Sequence, residues 1–300
     1  MKKFLFSIVF ISSFVVGFSQ EQLTNKNEDN EVNEILDELL NQQSFDDLMA
    51  SLVNADFLYF SLNYNSDTYF SGREIDVNQY NMTPQISYMN SKGFFASISG
   101  VIYSEFIPNW DVTILTVGYG KSFGKNNLFR YFGSVSGYLY SNNDIDGLYN
   151  SNVNAGIGIK NKKNTIGSQL SGSYYFGGES TFQIVSRSYA NINLVKNKKH
   201  SLKFRPQISV ISGSQLVNIT GVSFENELLN TKSIVEQEVS ETKKEFSLIY
   251  TQLNFPIQYS YNSFDFEIGY NLNIPFELEN ETNLNNTGFF NIGLSYLLDL

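Results

Sequence analysis

The sequence contains no cysteine. That excludes a disulfide framework, a thiol nucleophile, a cysteine metal site and a lipid-modified cysteine behind an export signal. His200 is the only histidine, so no histidine cluster points to zinc. Beyond the N-terminus, no segment approaches the ~18 consecutive apolar residues that a spanning helix requires, so any membrane passage is made by strands. Basic residues are outnumbered 20 to 30 by acidic ones, for a net charge of −10. This is the wrong sign for nucleic acid, where phosphate neutralisation dominates binding.

What is present is aromatic and small-polar. There are 26 phenylalanines and 19 tyrosines, asparagine and serine are abundant, and the second half is poor in leucine. Such a mixture suits strands better than helices. The first residues stand apart. Lys2 and Lys3 precede an apolar run from Phe4 to Val16, and Gly17 and Ser19 are small residues placed for a cut before Gln20. Residues 1–19 are expected to be an export signal that is removed.

Residues 20–55 read as an acidic helical extension. Ten acidic residues and one lysine fall between Glu21 and Asp56. Val32, Ile35, Leu36, Leu39 and Leu40 recur at helical spacing, and Phe45, Leu48, Met49 and Leu52 form a second stripe. Helices are predicted over 31–42 and 45–53, the second opened by Ser44 and Asp47 in a capping-box pattern. Three placements stay open: a cap on the periplasmic rim, a plug in a barrel, or a docking element.

From residue 56 onward the period is two. Phe264, Phe266, Ile268, Tyr270, Leu272, Ile274 and Phe276 share one face, against Asp265, Glu267, Gly269, Asn271 and Asn273. Phe129, Tyr131, Val135 and Leu139 oppose Arg130, Ser134, Ser136 and Tyr138 in the same way. Twelve strands are predicted, over 56–65, 80–90, 94–104, 112–123, 128–140, 148–160, 165–176, 181–195, 201–212, 246–261, 264–276 and 287–299. An apolar face with aromatics towards its ends, set against a Ser/Gly/Asn/Gln face, is lipid outside and polar lumen inside. The expected fold is all-β: a 12-stranded antiparallel transmembrane β-barrel over residues 56–300.

The connectors sort by parity. The even ones are short and together hold seven lysines and no acid, among them Lys92, Lys125, Lys162 and Lys163. The odd ones include 66–79, 213–245 and 277–286 and hold Asp67, Glu74, Asp76, Asp144, Glu236 and Glu279. Short turns belong on the periplasmic side and long loops outside, which puts both chain ends in the periplasm.

The last strand carries Asn291, Gly293, Tyr296 and Leu298. This spacing resembles the C-terminal signal read by the outer-membrane barrel assembly machinery, although the chain ends in Leu300 and not in an aromatic residue. With the signal ending in Ser19-Gln20 and the Asn/Lys/Phe/Tyr-rich composition, the chain resembles outer-membrane barrels of the Bacteroidota. The resemblance implies a location in the outer membrane and outer-membrane lipid and the assembly machinery as partners. It implies no defined activity.

Candidate chemistry is sparse. His200 falls in a predicted turn and reads as a turn residue, not as the base of a lipid-cleaving serine site. Asp265 and Glu267 share a strand face, where counter-charge is the plainer role than hydrolysis. Gly118 with Gly120, and Gly156 with Gly158, read as close packing in the wall. Arg130, Arg187, Lys203 and Arg205 are predicted to face the lumen, where basic side chains select anions or pair with Asp265 and Glu267. No cofactor or metal is implied, and no enzyme is expected. Two functions remain. One is a narrow solute channel occluded or capped by the N-terminal helices. The other is a non-conducting barrel that anchors or assists a surface or secretion assembly through residues 31–53 or the 213–245 loop.

Overall fold

The computed structural model describes residues 56–69, 78–105, 109–141, 149–177, 180–197, 199–218, 242–277 and 284–300. The export signal, the helices expected over 31–42 and 45–53, and the tips of several long loops lie outside them. Fifteen strand segments form one antiparallel sheet. They are β1 (Phe57–Asn65), β2 (Asn81–Met89), β3 (Phe94–Tyr103), β4 (Trp110–Phe123), β5 (Phe129–Tyr140), β6 (Tyr149–Lys160), β7 (Ile166–Gly177), β8 (Thr181–Ala190), β9 (Ile192–Lys196), β10 (His200–Phe204), β11 (Gln207–Asn218), β12 (Thr242–Asn254), β13 (Ile257–Tyr261), β14 (Phe264–Pro275) and β15 (Thr287–Asp299). β8 with β9, β10 with β11, and β12 with β13 each make one span in two pieces, so the wall is a closed 12-strand antiparallel barrel.

Closure is made by β1 against β15, in register from Phe57 opposite Asp299 to Asn65 opposite Asn291. The seam is bonded past both strand ends. The Leu300 N–H donates to the Asp56 carbonyl at 3.0 Å, and the Ser66 N–H donates to the Phe290 carbonyl at 2.8 Å. Closing the sheet pairs its first and last strands, which is what a lipid environment demands of the membrane-spanning wall.

Side chains alternate across this wall as the period of two requires. Val117, Ile157, Ile268 and Phe290 point outward and are more than half exposed. Aromatic rings concentrate in two outer bands. One, near the chain ends, runs Phe94, Tyr119, Tyr131, Phe123 and Phe129 with successive centroids 5.0–6.3 Å apart. The other holds the pairs Tyr64–Tyr80, Tyr270–Phe290 and Tyr174–Phe176. Two aromatic girdles around an apolar belt match the two interfaces of a bilayer.

Three features depart from the sequence expectation. The 213–245 connector is shorter than expected, because β11 runs on to Asn218 and β12 begins at Thr242. Their added rungs, such as Gln215 opposite Glu245 and Leu216 opposite Lys244, lack a lipid-facing apolar stripe, so hydropathy gave no sign of them. Second, Pro206 and Pro256 lie between the pieces of the ninth and tenth spans. Proline has no N–H to give to the ladder. The carbonyls still serve: Ala190 N–H donates to Pro206 and Arg205 N–H to Pro256, so the wall stays bonded across the breaks.

The third is a set of large rings on the inner face. Phe95 packs on the bare backbone of Gly118, Phe132 on Gly156, and Tyr189 on Gly167. Each glycine lies on the neighbouring strand, opposite or close to opposite the ring residue, and a Cβ there would collide with it. The close-packing role of Gly118 and Gly156 is thereby specified: they are seats for inward aromatic rings.

Two predictions follow from the wall and its seam. Gly118→Leu, which drives a side chain into Phe95, should destabilise the barrel by about 1–3 kcal/mol in urea unfolding from lipid vesicles. The second concerns Asp56, whose carboxylate accepts the Ser91 N–H at 2.6 Å, a bond that lowers its pKa from the ordinary value. A depressed carboxylate stabilises the fold above its unfolded pKa and loses that effect as pH falls through the folded one. The Ser91 amide resonance should therefore titrate with a midpoint below that of an ordinary aspartate, and should not titrate in Asp56→Asn.

Candidate functional site in the bore

The inner faces of spans ten to twelve are polar, and their side chains are bonded to one another across strands. Gln258 Nε2 donates to Glu267 Oε2 at 2.7 Å, and Asn291 Nδ2 to Glu267 Oε1 at 2.8 Å. Asn271 Nδ2 donates to Asn291 Oδ1 at 2.9 Å, and Asn254 Nδ2 to Asn271 Oδ1 at 2.5 Å. A second chain runs from Gln252 Nε2 to Asn273 Oδ1 at 2.9 Å and from Asn273 Nδ2 to Thr287 Oγ1 at 3.1 Å. Ser260 Oγ donates to Asp265 Oδ1 at 2.7 Å. An amide both donates and accepts, so such ladders extend without charge and hold each member in one rotamer.

All six charged residues expected in the lumen lie on the inner face; Arg130, Lys203, Arg205, Asp265 and Glu267 are in the half of the bore nearer the chain ends, whereas Arg187 is on the row of Ser209, Gln252 and Asn273. Arg130, Lys203, Arg205 and Asp265 are at least nine-tenths buried. Arg130 lies along Gly158, which leaves room for its stem. The Arg205 guanidinium sits 4.2 Å over the Tyr189 ring, which itself rests on Gly167. Lys203 is opposite Gln258, and Gln258 is opposite Glu267, so base and acid occupy one rung with an amide between them. Arg187 is on the neighbouring span but further along the bore than Arg205, opposite Gln169 and Ser209. The bases thus fall on spans five, eight and nine, and the acids on span eleven.

The same half contains Phe57, Met89, Phe95, Phe132 and Leu297, all on the inner face and almost fully buried. The sequence reading expected a polar lumen with a few charges and missed these. A signal was available: an apolar residue on the polar face, with glycine on the next strand at the matching rung.

At the mouth away from the chain ends the bore holds a pocket of about 220 Å³. Six adjacent spans contribute to it. Tyr69, Tyr103, Tyr250 and Phe289 supply rings, Asn65, Asn81, Gln252 and Asn273 supply amides, and Asp67 and Thr68 complete the polar rim. No lysine or arginine lines it. Sequence reading did not find it, because its residues come from both ends of the chain.

The remaining sequence candidates have structural settings. His200 is the first residue of β10 and faces outward, with Nδ1 2.9 Å from the Tyr259 hydroxyl and its ring 5.0 Å from Tyr261. It belongs to the girdle near the chain ends, and its hydrogen-bond partner is a tyrosine, not a serine. Of the expected assembly signal, Asn291 joins the amide ladder, Gly293 lies against the Asn63 side chain, and Tyr296 packs on Phe264 at 4.7 Å. Leu298 faces outward.

The barrel is similar to the KdgM porin, with 9% identity and a TM-score of 0.45 over 80% of this chain and 98% of that one. It is similar to the NanC porin at 12% identity and a TM-score of 0.42, over 80% of this chain and 98% of that one. An outer membrane channel from Pseudomonas putida F1 matches at 9% identity and a TM-score of 0.45, over 82% of this chain and 96% of that one. No family model matches the sequence, and neither does any curated protein. The class defined by the closed wall, the girdles and the lipid-ready belt is the 12-stranded transmembrane β-barrel. Occlusion of the bore by the N-terminal helices gains no support from these comparisons.

The amide ladder makes its own prediction. Glu267→Leu removes the acceptor for both Gln258 and Asn291 and should cost about 1–3 kcal/mol of unfolding free energy. Ile268→Val, one residue along on the lipid face, should cost under about 0.5 kcal/mol, because lipid fills the space the methyl leaves. Equal losses in the two variants would mean that the ladder adds nothing.

Proposed function

We propose that the protein is a narrow outer-membrane channel for small solutes, of the Bacteroidota type, with both chain ends in the periplasm. The observation that carries this reading is the bore: a hydrogen-bonded amide wall, basic and acidic side chains along it, and an open polar pocket at one mouth. The orientation is supported by the lysine-bearing short turns at the mouth with the chain ends and the longer connectors at the other. Asn291, Gly293, Tyr296 and Leu298 support recognition of the last strand by the assembly machinery.

A non-conducting barrel is the second reading. The large buried rings Phe57, Met89, Phe95 and Phe132 favour it, because they narrow the half of the bore near the chain ends. In that case residues 31–53, or the segment between β11 and β12, dock a surface or secretion partner.

Planar-bilayer recording decides between the two. Full-length protein should conduct in small steps, and a variant lacking residues 21–53 should conduct at least as well. Silence from both forms overturns the channel and leaves the anchor. Within a conducting bore, Lys203→Gln with Arg205→Gln should move the reversal potential in a salt gradient towards cation preference. Asp265→Asn with Glu267→Gln should move it the other way.

A further inference from the structure

The pocket at the far mouth is chemically unlike the rest of the bore. We propose that it is a binding site for an uncharged sugar ring, and so the recognition site of the proposed channel; the inference rests on that reading only for its role in transport. Its volume of about 220 Å³ exceeds the roughly 150 Å³ that admits a benzene ring. One six-membered ring with its substituents fits.

Ring faces and amides are the two things a pyranose needs. Phe289 and Tyr69 have centroids 6.0 Å apart at 38°, forming an angled apolar wall for the C–H face of a sugar. Across it stand amides whose capacity is only partly used. Gln252 gives one N–H to Asn273, which leaves its oxygen and second N–H. Asn65 gives one N–H to Asn81, and Asn81 gives one to Thr68 Oγ1. These bonds fix the amides in place, and each still offers groups to a ligand. Hydroxyls on adjacent carbons both donate and accept, which is the complement of an array of amides.

Gln79 stands behind the rim at Thr68. It is 3% exposed, its carbonyl accepts from Thr68 Oγ1 at 3.0 Å, and neither polar atom of its side chain has a hydrogen-bond partner among the described residues. Gln79 does not itself line the pocket; through this bond it holds Thr68, which does.

Charge narrows the class. Among the described residues no base lines the pocket and Asp67 does, which disfavours an acidic sugar; Arg187 stands behind the lining, on the row that leads through Ser209 to Gln252. An organic cation would use Asp67, but that carboxylate already accepts from the Thr68 N–H at 2.8 Å and the Tyr69 hydroxyl at 3.0 Å. The pocket opens inside the bore, not on the lipid face, so the ligand is a soluble sugar and not the sugar of a membrane lipid.

The test is saturation-transfer NMR on the full chain folded in micelles, with glucose, galactose, N-acetylglucosamine, galacturonate and tetramethylammonium as probes. At least one neutral sugar should bind saturably. Phe289→Leu, which keeps bulk and removes the ring, and Gln252→Met, which keeps shape and removes the amide, should each weaken it about fivefold or more. Val117→Ala on the lipid face should not. Preference for galacturonate or tetramethylammonium, no binding of any neutral sugar, or binding unchanged in both pocket variants overturns the assignment. Bilayer conductance of the same preparations separates the two claims. Conductance without sugar binding removes the sugar site and keeps the channel, whereas sugar binding without conductance does the reverse.

Discussion

The structure depends on one constraint: in hydrocarbon, backbone N–H and C=O groups find partners only in other backbone. A sheet meets it only by closing, so the meeting of β1 and β15 is the condition for the whole wall. Residues as far apart in sequence as Asp56 and Leu300, 3.0 Å from each other across the seam, must find each other for that. In a bilayer most of the driving force that packs a soluble core is absent, because lipid is as apolar as the side chains that face it. Specificity passes to register, and register is set by turns, by inner-face contacts and by the two aromatic girdles.

The inner face solves a different problem from the outer. Polar side chains inside a bore gain from bonding to each other when they are screened from water, and amides do this without the desolvation cost of ions. Hence Asn254, Asn271, Asn291 and Gln258 run as a ladder that terminates on Glu267. Rings and guanidinium groups lie flat on strand glycines, an arrangement that uses inner surface without adding height. Arg205 on Tyr189 on Gly167 is a stack of three such layers.

The wall itself was legible because period two is a local signal: Phe264 to Phe276 and Phe129 to Leu139 announce their outer faces unaided. Strand number, parity of the turns and the inward direction of Arg130, Arg187, Lys203, Arg205, Asp265 and Glu267 all follow from that period. What was not legible depends on distance in sequence. Phe95 finds Gly118 and Phe132 finds Gly156 only once neighbours are in register. The pocket joins Asn65 and Tyr69 to Tyr250 and Phe289, and no window along the chain contains them. The polar rungs of β11 and β12 lacked the apolar stripe by which a strand is recognised, although their backbones pair like the rest.

The breaks at Asn191, at Arg205–Pro206 and at Phe255–Pro256 fall on three adjacent spans, and below them hang β9, β10 and β13, each five residues long. These three segments form a leaf. It is attached along one side, where β13 meets β14 from Ile257 opposite Ile268 to Tyr261 opposite Phe264. On its other side, β9 pairs only with β10 among the described residues, and Ile192, Leu194 and Val195 are about half exposed. The rim near the chain ends is therefore an open collar, not a ring of uniform stiffness: one sector is creased at its base and bare along one margin. Two of the peptide nitrogens at its base carry no hydrogen, and the ladder crosses there through the Pro206 and Pro256 carbonyls.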